Sequence, residues 1–171
     1  MQKLLLREPR LDDEANFLAN SQKSQLLHQP WLKAPSTSSE FRAYLERYSL
    51  ANQRSFLLET ETRNLVGVFN LNEIVRGAFQ SAYLAYYAMV DYIGQGYMRL
   101  GLKLVLEKAF TELELHRLEA NIQPGNRASI ALVKITGFRK EGFSLRYLKI
   151  EGEWCDHERW AITYEDWLNQ R

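Results

Sequence analysis

The sequence predicts an α+β fold: a mixed, mostly antiparallel central sheet of about seven strands, flanked by helices. Three observations predict it. Residues 54–60, 65–71 and 81–90 are short runs rich in Phe, Leu, Val and Tyr. Polar turns at Glu61-Thr62-Arg63-Asn64 and around Arg76-Gly77 separate them, so they read as an antiparallel meander. Residues 88–106 pass from the end of an apolar strand through Gly94-Gln95-Gly96 into a helix. Residues 143–164 form two strands around Glu151-Gly152-Glu153, a hairpin signal.

In chain order, residues 3–8 make a first strand and residues 11–27 a helix. Leu11, Ala15, Leu18 and Gln22 share one side of that helix, and Asp12, Asp13 and Glu14 sit near its positive end. His28-Gln29-Pro30-Trp31 ends it, because Pro30 pushes its predecessor out of helical angles. Trp31 is either a core anchor or the wall of a substrate cleft. Thr37-Ser38-Ser39-Glu40 has the form of a capping box, and the helix it opens runs through Leu50 with Phe41, Tyr44, Leu45 and Tyr48 inward.

The meander follows. Asn70 and Asn72 interrupt its second run, either as loop formers or as polar groups lining a cleft. The central helix spans residues 97–111, and Met98, Leu102, Val105, Leu106, Ala109 and Leu113 form its core-facing stripe. Gly101 inside it costs about 1 kcal/mol relative to Ala, which close packing on the sheet would explain. Residues 116–122 are the next strand; His116 at its start reads as a structural hydrogen-bonding group rather than a catalytic one. A short helix over residues 127–136 takes Asn126 as N-cap and Gly137 as C-cap.

Composition narrows the function. Residues 1–171 make one domain, with no linker and no repeat. Lys plus Arg number 22 against 21 acidic residues, a net charge of +1 that argues against non-specific nucleic-acid binding. Cys155 is alone, so no internal disulfide forms. His28, His116 and His157 share no ligand spacing, so no metal site is expected. No apolar run reaches membrane length and Met-Gln-Lys opens no signal peptide, which points to the cytoplasm.

The glycine turn carries the chemistry. Glycine permits angles that a Cβ forbids, and it lets main-chain N–H groups approach a ligand. The first N–H groups of a helix lack internal partners, and with the positive end of the dipole they favour phosphate. A lone G-x-G also occurs in ordinary tight turns. Here it stands with His28-Gln29-Pro30-Trp31, Arg76-Gly77, Pro124-Gly125-Asn126, Ser129, Gly137-Phe138, Glu141-Gly142, and Gly152 through Trp154, Asp156 and His157.

This combination resembles the GNAT superfamily of acetyl-CoA-dependent N-acetyltransferases, over nearly the whole chain. Within it, the sequence is most similar to the branch acetylating ribosomal-protein N-termini, the alanine enzymes above all. The resemblance implies a GNAT fold whose fourth and fifth strands splay to hold acetyl-CoA. It implies that backbone groups near Ala88, Met89 and Val90 pair with the pantetheine arm. It places the diphosphate on N–H groups of Gly94, Gln95, Gly96, Tyr97 and Met98, with Asn126 and Ser129 reaching the cofactor. Three positions depart from the pattern. Asp91 stands where Arg or Gln is usual and should point to solvent; Val133 replaces a tyrosine acid; Leu148 replaces a glutamate base. Ser129 is then the candidate acid, as in the ribosomal branch.

Direct transfer needs a neutral amine. At pH 7, deprotonating an α-amine costs roughly 1.2 kcal/mol and a lysine about 4.6 kcal/mol. An N-terminal acceptor therefore tolerates a weak base. Asn70 is a catalytic candidate, and Trp31, Asn72, Glu73 and Tyr86 are acceptor-cleft candidates. Three readings stand: acetylation of the N-terminus of a protein, by the resemblance a ribosomal protein starting with Ala or Ser; acetylation of a small amine (polyamine, amino acid or antibiotic); and a silent acyl-CoA-binding module.

Overall fold

A computed structural model describes residues 3–170. The chain runs β1 (Leu4–Arg7), a 3-10 turn (Leu11–Asp13), α1 (Glu14–Lys23), α2 (Gln25–His28), α3 (Ser38–Tyr48), β2 (Arg54–Thr60), β3 (Leu65–Val75) and β4 (Ser81–Ala88). A 3-10 turn (Val90–Tyr92) leads to α4 (Tyr97–Glu107), followed by β5 (Arg117–Ile122), α5 (Arg127–Ile135), β6 (Arg139–Ile150), β7 (Glu153–Thr163) and α6 (Tyr164–Leu168). The seven strands form one sheet in the order β1-β2-β3-β4-β5-β7-β6. Every neighbouring pair is antiparallel except β4–β5.

Each face of the sheet buries its own core. On one face α4 lays Leu102, Val105 and Leu106 against Leu58, Phe69 and Leu71. On the other, Phe17 of α1 and Phe41 and Tyr44 of α3 cover Leu57, Val68 and Tyr87. The two faces alternate along β3, as the pleat requires. Gly101 is explained by the first contact. A Cβ there would lie 2.5 Å from Leu58 Cδ2 and 2.8 Å from the Phe69 ring. The helix sits closer to the sheet than any side chain at this position allows.

Several boundaries differ from the sequence reading. The helix expected over residues 11–27 is broken into a 3-10 turn, α1 and α2. At its start Asp13 turns back to Arg10 N (2.7 Å) and to the Arg7 guanidinium. At the second break Ser24 leaves helical angles (φ −94°, ψ 3°), and its hydroxyl accepts from Val90 N. The capping box of α3 forms as read: Thr37 Oγ1 accepts from Glu40 N, and Glu40 Oε2 accepts from Thr37 N. β3 runs on to Val75 rather than stopping at Leu71, and β4 stops at Ala88. The central helix ends in a π-helical turn over Lys108–Glu112. β6 begins at Arg139, not at residue 143, and α6, capped by Thr163 and Asp166, was not anticipated.

Packing at Gly101 gives a test. Gly101→Ala gains about 1 kcal/mol of helix propensity. It also forces a methyl group into a filled contact, an overpacking that costs about 1–3 kcal/mol. The variant should unfold at a urea midpoint no higher than the parent's; a higher midpoint would refute close approach as the reason for the glycine.

Candidate active site

β4 and β5 are hydrogen-bonded only at their start, where residues 81–83 pair with residues 117–119. Beyond Tyr83 the two strands part, and β5 continues along β7. A cavity of about 420 Å³ opens beside the free end of β4, within the range of small-ligand sites. His28, Trp31 and Leu32 wall one side, Tyr86–Ala88 the floor, Gly94, Gly96, Met98 and Arg99 one end, and Asn126, Ser129 and Leu132 the other side.

Gly94 (φ 72°) and Gly96 (φ 79°) both take left-handed angles. A Cβ on either would meet nothing within 4 Å, so backbone conformation and not crowding requires glycine. Gly96 is the N-cap of α4 and offers no side-chain cap, unlike Thr37, Asn126 and Thr163 at three other helices. The opening of α4 therefore leaves its first main-chain N–H groups without a side-chain partner from the cap, and Gly94, Gly96, Met98 and Arg99 line the cavity there. These features fit an anionic group such as a diphosphate. Gln95 is turned aside, donating to Asp91 O at 2.8 Å. Asp91 itself does more than face solvent: Lys23 Nζ lies 2.6 Å from its carboxylate. That half-exposed pair contributes at most about 1 kcal/mol to stability, but it cancels a negative charge beside the glycine turn.

On the opposite wall, Asn126 Oδ1 accepts from Ser129 N at 3.1 Å, the N-cap of α5. The oxygen of Asn126 is thus engaged in its own helix. Ser129 Oγ lies 2.6 Å from Tyr86 Oη, and Tyr86 Oη also lies 3.2 Å from Ser129 O. Burial pushes the Tyr86 phenol well above its ordinary pKa, against the opposing hydrogen bond from Ser129. It stays protonated throughout the neutral range. Val133 is fully buried in the α4-side core, and Leu148 sits opposite Cys155 on the partly exposed β6. Trp31 lines the cavity, and its ring would lie 2.9 Å from a Cβ at Gly125. Glycine there lets the indole close against the turn before α5.

The remaining candidates lie elsewhere. Asn70 is not a loop former and is not among the residues lining this cavity: it lies on β3 under α3, where Tyr44 Oη donates to its Oδ1 at 3.1 Å. Asn72 accepts from Tyr48 Oη at 2.7 Å on the same face. Glu73 accepts from Gln53 Nε2 at 3.0 Å where β3 bulges. Tyr86 packs on Phe69 on the other face, so the sheet itself separates Asn70 from Ser129. Of the three residues expected to pair with a cofactor arm, Met89 donates instead to Val66 O at 2.9 Å. Ala88 O accepts from His28 Nε2 at 2.9 Å, and Val90 N donates to Ser24 Oγ at 3.0 Å. Ser24 and Arg99 were not singled out from sequence, and His28 stood there in the His28-Gln29-Pro30-Trp31 motif, not as a site residue; the i, i+4 spacing of Ser24 and His28 was the available signal. Among the described residues no three His, Cys, Asp or Glu side chains cluster to hold a metal, and no helix is long and apolar enough to cross a membrane.

Comparison with known proteins supplies the context. The family model described as "Acetyltransferase (GNAT) domain" matches residues 3–139. The chain is 35% identical over 115 residues to the [Ribosomal protein uS5]-alanine N-acetyltransferase of Escherichia coli, a match covering 67% of this chain and 59% of that enzyme. It is 25% identical over 159 residues to the spermidine N(1)-acetyltransferase of Vibrio cholerae, covering 92% and 91% of the two chains. Among solved structures, Mycobacterium smegmatis RimJ in complex with CoA-disulfide is similar, with TM-score 0.88 and 29% identity over 95% of this chain and 83% of that one.

His28 gives a pH test. Burial lowers its pKa below the ordinary 6.5, with the Ala88 carbonyl opposing in part. Between the folded pKa and 6.5 the unfolded chain binds more protons, so stability falls as pH drops through that interval. The urea midpoint of the parent should fall between pH 7.5 and 5.5 more steeply than that of His28→Gln; parallel curves would show that His28 titrates alike in both states.

Proposed function

The chain belongs to the GNAT acetyltransferases, enzymes that use acetyl-CoA, and from that membership we propose that it acetylates the N-terminal amine of a protein. A cytoplasmic ribosomal protein starting with Ala or Ser is the favoured acceptor, and the whole chain serves as one catalytic unit. The observation that carries this choice is the lining of the cavity: no Asp or Glu contributes to it. Without a carboxylate in its lining, the cavity itself offers neither a strong base nor a counter-charge for a polycation. An α-amine, costing roughly 1.2 kcal/mol to neutralise at pH 7, suits such a site better than an amine near pKa 10.4. The relative named for uS5 alanine acetylation supports the same reading.

Acetyl-CoA supplies an activated acetyl thioester. The amine nitrogen forms the new bond to the acetyl carbon while the carbon–sulfur bond breaks; nitrogen sheds one proton and sulfur gains one. Ser129 is assigned the donor facing sulfur. Tyr86 Oη donates to Ser129 O at 3.2 Å and lies 2.6 Å from Ser129 Oγ, so the protonated phenol holds Ser129 in position on the cavity wall. The glycine turn and the start of α4 hold the diphosphate.

An assay with an Ala-starting peptide, a Ser-starting peptide and spermidine tests the proposal. Acetylation of peptide is expected. Spermidine alone as acceptor would overturn it in favour of the small-amine reading, and cofactor binding without turnover would leave only a binding module. Ser129→Ala should lower kcat about 10- to 100-fold with acetyl-CoA affinity within about twofold; an unchanged kcat removes Ser129 from the chemistry.

A further inference from the structure

We infer that Ser24 and His28 form a clasp that takes the place of the missing strand neighbour of β4, making His28 a positioning residue for the cofactor arm. The inference rests on the acetyl-CoA reading above and deepens it.

The geometry follows from the ladder. Ala88 faces Gly67 in register, and Met89 N donates to Val66 O at 2.9 Å. Ala88 and Gly67 are thus a non-hydrogen-bonded pair, and successive residues of a strand point their amides to opposite sides. Ala88 C=O and Val90 N–H consequently point away from β3, toward the side on which β5 has already departed. Left alone, these would be unpaired backbone groups in a largely apolar setting, which proteins avoid. Two side chains answer them. His28 Nε2 lies 2.9 Å from Ala88 O, and Ser24 Oγ accepts from Val90 N at 3.0 Å.

Ser24 and His28 are one helical turn apart and face the same way. Both are almost wholly buried, at 1% and 4% exposure. A carbonyl oxygen only accepts, so Nε2 carries the proton, and Nδ1 is a bare acceptor, buried without a hydrogen bond. The break between α1 and α2 falls at Ser24, where the hydroxyl serves β4. The clasp keeps the gap open and fixes the strand end. The carbonyl of Ala88 retains a second lone pair on the cavity side. Two residues upstream, Tyr86 presents its phenol to Ser129. A shift of Ala88 therefore moves the surface against which the cofactor arm lies.

The test uses the full chain with His28→Ala, His28→Gln and Ser24→Ala, read by calorimetry with coenzyme A, by KM and kcat, and by thermal melting. His28→Ala should weaken coenzyme A binding about tenfold, the size of one lost hydrogen bond, with the acceptor KM within about twofold. His28→Gln, whose amide nitrogen can reach the same carbonyl, should restore most of the affinity. Ser24→Ala should weaken binding in the same direction and provides the answer if His28→Ala does not fold. Parental affinity in folded His28→Ala, no rescue by His28→Gln, or a loss confined to kcat would each overturn the clasp. Failure of the parent to bind coenzyme A would instead overturn the acetyltransferase reading.

Discussion

The parting of β4 from β5 is the constraint on which the site depends. Three residue pairs hold the strands parallel, at residues 81–83 and 117–119, and then the ladder stops. A continuous ladder would close the gap and leave no cavity. It stays open because each strand is satisfied elsewhere. β5 is paired along its length with β7; β4 is paired with β3 on one side, while on the other His28 meets its last residue, Ala88, and Ser24 meets Val90 in the turn that follows. Sheet pairing is thus broken between β4 and β5, beside the cavity.

The helices then supply what the gap needs. α4 begins at the mouth with two left-handed glycines and no side-chain cap, so the positive end of its dipole lies at the cavity. The tight seat of Gly101 on Leu58 and Phe69 fixes where that helix starts. α5 brings Ser129 to Tyr86 across the cavity. The nearest carboxylate to the glycine turn on the same loop, Asp91, is held by Lys23 from α1. α1 and α2 thereby act twice on this loop, once through charge and once through backbone hydrogen bonds.

Much of this was legible in the residues. Thr37 with Glu40, Asn126 before residues 127–136, and Gly101 in an apolar helix each announce a local structure through local chemistry. Gly94-Gln95-Gly96 did the same for the start of α4. The family resemblance added the wedge, and the chain's GNAT membership accords with it. What stayed hidden was long-range. Asn70 and Tyr86 both sit in strands, and no local pattern says that the sheet puts them on opposite faces. The break at Ser24 looks like continuous helix until Val90, 66 residues on, claims its hydroxyl. Asp91 gained a partner from Lys23, 68 residues away, for the same reason. α6 was hidden because its five residues carry too little periodicity to separate from the strand before them.

Gripping of the diphosphate by main-chain hydrogens at the start of α4 is the central claim, and parallel calorimetric titrations with coenzyme A and with pantetheine, which lacks the diphosphate, test it most directly. Coenzyme A should bind at least about tenfold more tightly, since several charge-assisted hydrogen bonds are lost with the phosphates. Equal affinity for the two, or no binding of either, would contradict the account.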